Sequence, residues 1–190
     1  MCGNCTLPQV DQNCGERRYT ELARPPWEFP LPNPRLSRVP AGSREAFLPL
    51  FLLADESAQQ VQSYINTGDL YVYSSENDIV AGIVLAIPLE PDVVELKAVA
   101  IDVQQQGRGI GKRMLIDVLA ELRDLGCKRV VVGTANAAIG QLAFYQKAGF
   151  RLLSIERDFF SPVRGYAEVI EEAGICMRDM VWMDLILQRD

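Results

Sequence analysis

Hydrophobic and polar positions divide this chain into an irregular beginning and a regularly patterned remainder. Residues 1–34 carry few periodic apolar positions. Pro25, Pro26, Pro30, Pro32 and Pro34 deny the segment a regular helix or a central strand. It reads as an extended N-terminal arm, either docked through Trp27 and Phe29 or without fixed structure, ahead of a domain over 35–190. That domain opens with a short strand over 35–39. An apolar helical stretch follows over 43–54, with Pro49 near its start or kinking it, and a second over 57–65 ends before Gly68. Strands over 70–74 and 79–87 flank the polar turn Ser75-Glu76-Asn77-Asp78, and a third over 93–103 completes a meander.

Beyond residue 103 strands alternate with helices. Met114, Leu115, Val118, Leu119, Leu122 and Leu125 recur at helical spacing and predict a helix over 112–125, capped by Gly126. Val130-Val131-Val132 suits a buried parallel strand. A second helix over 138–148 stops at Gly149, and strands over 150–155 and within 175–187 complete a mixed sheet. The pattern predicts an α/β (α+β) domain, and no internal repeat is visible.

Composition narrows the function. A chain of 190 residues suits one ordinary domain with a substantial core. Its 19 basic and 25 acidic side chains leave a net charge of −6, which argues against a nucleic-acid partner and suits a cationic substrate. No run approaches the roughly 18 apolar residues of a membrane span, and the N-terminus lacks the basic flank and apolar run of a signal peptide. The expectation is a cytoplasmic protein with no membrane partner. Cysteines stand at 2, 5, 14, 127 and 176, and Cys2-x-x-Cys5 invites a metal reading. The chain has no histidine, so a complete zinc ligand set is not expected, and Ser-His-Asp and Cys-His mechanisms are excluded within it.

The most informative segment is Gln106-Gly107-Arg108-Gly109-Ile110-Gly111-Lys112, between a strand and an amphipathic helix. Such a junction presents unpaired backbone N–H groups at the positive end of a helix, and glycines let a pyrophosphate approach the backbone. Spacing alone leaves a plain structural turn open. The phosphate-loop pattern fails because Arg113 stands where Ser or Thr would meet magnesium, and the Gly-x-Gly-x-x-Gly dinucleotide pattern fails on glycine spacing. The position after an antiparallel meander also disfavours a nicotinamide-dependent oxidoreductase.

Gln106-Gly107-Arg108-Gly109-Ile110-Gly111 resembles the Arg/Gln-x-x-Gly-x-Gly/Ala signature of the GNAT acetyltransferases. Gly133-Thr134-Ala135-Asn136 and Gln141 to Phe150 resemble that family's late strand and its Asn…Tyr-x-Lys-x-Gly-Phe helix. The similarity extends over about 36–190, with a tail like that of a small bacterial branch. The resemblance implies a mostly antiparallel sheet of six to seven strands flanked by helices, with its central strands splayed. It implies acetyl-CoA as co-substrate, with no metal, and transfer of the acetyl group to a primary amine. Coenzyme A would contact the main chain of Val99, Ala100 and Ile101 at the pantetheine. Gln106 and the amides of Gly107, Arg108, Gly109, Ile110, Gly111 and Lys112 would serve the pyrophosphate. Asn136 would bond the pantetheine or nearby backbone, and Gln141 belongs to the same block.

Tyr145 stands where many family members place a general acid, and Glu95 where histone-type members carry a base. Each has a plainer alternative: Tyr145 as an amphipathic core tyrosine, Glu95 as a strand residue paired with Lys97. A small-molecule or peptide amine is the implied partner, and a homodimer is common in the fold. Residues 43–68 and 156–174 are expected to shape the acceptor pocket, with Phe159, Phe160 and Tyr166 either lining it or packed in the core. A catalytically weak acyl-CoA-binding regulatory module is the alternative, with less use for both Glu95 and Tyr145.

Overall fold

A computed structural model describes residues 35–74 and 78–187; the N-terminal arm with Cys2, Cys5 and Cys14 lies outside them, as does most of the turn over 75–78. The strands are β1 (Arg35–Val39), β2 (Asp69–Ser74), β3 (Val80–Glu90), β4 (Val93–Ile101), β5 (Arg129–Ala135), β6 (Arg151–Glu156), β7 (Glu171–Glu172), β8 (Ile175–Cys176) and β9 (Met180–Ile186). The α-helices are α1 (Leu48–Ala54), α2 (Ala58–Tyr64), α3 (Ile110–Asp124) and α4 (Ile139–Lys147). Seven strands form one sheet in the order β1-β2-β3-β4-β5-β9-β6, antiparallel at every junction except β4 with β5. Among the described residues, no helix is long and apolar enough to cross a membrane.

Local chemistry explains the elements. Pro49 occupies the first turn of α1, where the missing N–H costs nothing. Ser57 caps α2 by accepting from the Gln60 amide. Ile110, Met114, Leu115, Val118 and Leu122 form the buried stripe of α3 against one face of the sheet. Phe51, Val61, Tyr64 and Ile65, from α1 and the α2 region, cover the other face against Leu70, Val72, Ile83 and Leu85. The sheet therefore has a core on each side.

The expected last strand within 175–187 is broken in two. Ala173 and Gly174, both at positive φ, turn the chain between β7 and β8, a hairpin the apolar pattern did not announce. The Asn136 side chain then accepts from the Arg178 and Asp179 amides, taking two donors out of the strand before β9 begins. β9 lies between β5 and β6 rather than at an edge.

A single irregularity in β4 sets up the site. Leu85 pairs with Ala98 and Ala86 with Leu96, so Lys97 is an extra residue with no partner on β3. Leu96 joins the core under α3, whereas Ala98 and Ala100 join the core under α1 and α2. Residues two apart on a regular strand share a face; here the bulge reverses the faces. β5 follows β4 only from Val93–Arg129 to Leu96–Val132, and the ladder ends where the bulge begins. Beyond that point β4 runs on to Ile101 without β5, while β5 keeps only β9.

Candidate functional site

The two strands diverge into a wedge, and a cleft of about 130 Å³ lies on it. Its lining includes Lys97 of β4, Gly133, Thr134 and Ala135 of β5, and Gln141 of α4. Leu53 to Glu56 close one side, and Phe160, Tyr166, Glu172 and Met177 the other. The two segments expected to shape an acceptor pocket, 43–68 and 156–174, thus both reach it. Phe160 and Tyr166 line the cleft. Phe159 stands behind them, in ring contact with Phe160 at 5.1 Å and Tyr166 at 6.1 Å and capped by Arg164 at 4.4 Å.

The unpaired end of β4 carries Val99, Ala100 and Ile101. Ala100 is buried, while Val99 and Ile101 are half-buried against the α3 core. The glycine-rich turn follows directly. Gln106 donates from its side-chain amide to the Ile101 carbonyl at 3.0 Å, closing the turn onto the strand. Gly107 and Gly109 have φ of +75° and +77°, and Gly109 is the residue from which α3 starts. At neither would an added Cβ meet another atom within 4 Å, so the backbone faces open space. Only the left-handed conformation, costly for a residue with a Cβ, requires glycine there.

The Ile110, Gly111 and Lys112 amides occupy the first turn of α3, where intrahelical acceptors are missing, and Gly109 supplies no side-chain cap. The first acceptor used is the Gly109 carbonyl, by the Arg113 amide at 3.2 Å. A Cβ on Gly111 would stand 3.3 Å from Ile101 Cγ1, so close packing of helix on strand keeps these donors beside the wedge. Arg108 and Lys112 are exposed, and no acidic side chain occupies the first turn of α3. This is an anion-compatible helix terminus at one end of an opened strand pair.

Asn136 and Gln141 are both engaged inside the protein. Asn136 donates to the Cys176 carbonyl at 3.0 Å while accepting the two amides described above, so its side chain serves nearby backbone. Gln141 accepts from the buried Thr134 hydroxyl at 2.7 Å, which fixes it at the cleft wall. Tyr145 is 6% exposed, its ring edge-on to Phe144 at 5.2 Å and Phe150 at 5.6 Å. Burial pushes its phenol well above the usual tyrosine range. It packs into the core on the α3 side of the sheet.

Glu95 lies within salt-bridge distance of Lys97, 3.4 Å, on the strand segment before the bulge. Lys97, not Glu95, contributes to the cleft lining, and its ammonium stands 5.5 Å from the Tyr64 ring centre. Sequence reasoning missed a further carboxylate. Asp55 lines the cleft at the C-terminal end of α1, accepting from the Ser57 amide at 3.0 Å and from the Tyr64 hydroxyl at 3.3 Å. Burial first, and then the charge and hydrogen bond of Asp55, push the Tyr64 and Tyr166 phenols upward. Its near partner, the Ser57 amide two residues on, does not mark Asp55 as a cleft residue, and Tyr64 and Tyr166 stand 9 and 111 residues along the chain.

Comparison with known proteins agrees with this geometry. The sequence model of the acetyltransferase (GNAT) family matches residues 39–150. The uncharacterized N-acetyltransferase YvbK of Bacillus subtilis is 38% identical over 138 residues, covering 73% of this chain and 87% of the relative. A GNAT acetyltransferase from Elizabethkingia anophelis, solved with acetyl-CoA bound, superposes with a TM-score of 0.74 at 34% identity over 82% of this chain and 99% of that one. A Bacillus subtilis acetyltransferase in complex with CoA gives 0.73 at 35% identity, over 82% and 100%.

Proposed function

The chain belongs to the GNAT family of acetyltransferases, and from that premise we propose that it moves the acetyl group of acetyl-CoA directly to a primary amine in the cleft between β4 and β5. The observation carrying this reading is the wedge itself: pairing stops at Leu96–Val132, and the free edge of β4 leads into the first turn of α3. An extended amide-bearing arm such as pantetheine suits that free edge, because it can take up hydrogen bonds that β5 no longer makes. A pyrophosphate suits the amides of 107–112, with Arg108 and Lys112 adding charge. The relatives solved with acetyl-CoA and CoA support the same ligand here.

Acyl transfer needs three services from the protein. Backbone donors on β4 near the bulge polarise the thioester carbonyl in a site set before the reaction starts. Tyr145 supplies a proton to the departing thiolate; its burial keeps the phenol protonated at neutral pH, as a donor requires. Glu95 takes the proton from the attacking amine, directly or through water, with the Lys97 ammonium 3.4 Å from its carboxylate. With the amine and the thioester held together, no covalent enzyme intermediate is required. The test is release of free thiol from acetyl-CoA, followed with and without a panel of primary amines. Amine-dependent release with a matching acetylated product supports the reading; acetyl-CoA binding without transfer to any amine would make the protein a binding module instead.

A further inference from the structure

The cleft has an inner carboxylate whose surroundings are built, and this goes beyond the acetyltransferase reading on which it rests. Asp55 is half-buried, at the point where α1 ends. The Ser57 amide donates to Oδ1 at 3.0 Å and the Tyr64 hydroxyl from α2 donates to Oδ2 at 3.3 Å, while Tyr166, brought in by the 157–170 loop, lines the same cleft. A carboxylate offers about four acceptor positions, so two protein donors leave room for a ligand. The Tyr64 phenol orients the group as a neutral donor without cancelling its charge.

The rest of the lining sorts by charge. Glu56 and Glu172 are exposed at the rim, and among the described residues Lys97 is the single cation in the lining, already beside Glu95. Leu53, Phe160, Tyr166, Met177 and Met180 supply an apolar wall. We propose that Asp55 docks the ammonium group of the acceptor through the acceptor positions left open, and that the enzyme thereby selects primary amines lacking a carboxylate beside the amine. An α-amino acid would bring its own carboxylate against Asp55, Glu56 and Glu172, with the one cation of the described lining, Lys97, already beside Glu95. A simple alkyl or arylalkyl amine meets charge complementarity at its head and apolar surface along its body.

Matched pairs of acceptors test this, each amine against its α-carboxylated counterpart: phenethylamine against phenylalanine, and tyramine against tyrosine. The expected result is a preference of about tenfold or more in kcat/KM for the amine of each pair. In Asp55→Asn the acceptor KM should rise about tenfold while the KM for acetyl-CoA stays put, and the amine preference should shrink. A bracing role alone for Asp55 would alter stability without moving that preference. Should Asp55→Asn fail to fold, Glu172→Gln at the exposed rim reads the same preference, with a loss of about threefold expected. Equal or better use of the amino acids, or an unchanged preference in the folded variants, overturns the proposal. So does a protein that binds acetyl-CoA by calorimetry and acetylates none of the four; failure to bind acetyl-CoA overturns the acetyltransferase reading itself.

Discussion

The Lys97 ammonium lies 3.4 Å from a Glu95 carboxylate oxygen, on the last stretch of β4 that still pairs with β5. Glu95 is the last outward step before the bulge, and Lys97 is the bulge. The pair therefore sits at the apex of the wedge. Its side chains are 14% and 26% exposed for Glu95 and Lys97, enough shielding for the interaction to matter and enough access for a water to connect it to the cleft.

Glu95→Gln tests the base. A lysine-like amine with a pKa near 10.4 is neutral in only about one molecule in 2,500 at pH 7, a handicap of about 4.6 kcal/mol. The expected outcome is a fall in turnover of about 10² at pH 7, with partial recovery as pH rises toward the pKa of the amine. A flat profile at near-normal turnover would hand the proton to solvent and leave Glu95 as the ion-pair partner of Lys97.

Tyr145→Phe should lower turnover about tenfold and leave acetyl-CoA affinity nearly unchanged, because the hydroxyl acts as the thiolate develops. Its ring contacts with Phe144 and Phe150 survive the change, so melting temperature should stay close to that of the parent. Rapid-mixing measurements that isolate the chemical step decide the matter. Unchanged chemistry there would make Tyr145 a packing residue.

Gly109→Val should weaken acetyl-CoA binding by more than about 2 kcal/mol, since valine resists φ of +77° and its branches would fill the open approach to the amides. Gly111→Val should cost stability as well, because its Cβ would press on Ile101 Cγ1 at 3.3 Å. Calorimetric titration of both folded variants with acetyl-CoA provides the check; parent-like affinity in both would remove the turn from the site.

Alkaline pH should destabilise the fold through its buried phenols. Tyr64, Tyr71, Tyr73, Tyr145 and Tyr166 all have pKa values raised by burial above 10.0. A group whose folded pKa lies above its unfolded value contributes stability that is complete below the unfolded pKa and is lost as pH rises toward the folded one. Melting temperature should thus fall progressively above about pH 10, together with the rise of tyrosinate absorbance. Normal-range tyrosine titration in the folded protein would contradict this.

Arg44→Ala should destabilise by about 3 kcal/mol. Its guanidinium is buried and donates to the carbonyls of Val39, Ile65, Thr67 and Gly68, tying the end of β1 to the loop between α2 and β2. Denaturant unfolding measures the loss, which should arise without a matching change in acetyl-CoA affinity.

Much of this protein is written in its local sequence. The period-two runs of β2 and β3, the α3 stripe and the Gly107–Gly111 turn are each set by residues within a few positions of one another, so the family, most of the elements and the backbone donors at the start of α3 are legible without a structure. The acceptor side is different. Lys97 becomes a bulge only because β3 pairs through Leu85–Ala98 and Ala86–Leu96, and no feature of Glu95-Leu96-Lys97 by itself announces that skip. The split of the last strand depends on Asn136 capturing amides 42 and 43 residues away. Asp55 enters the cleft where Tyr64 of α2 bonds it and Tyr166 of the 157–170 loop lines the same opening. Short-range propensity and turn chemistry fix elements and their glycines; where strands part, and which carboxylate faces the opening, are settled by long-range pairing, to which the chain contributes from both ends.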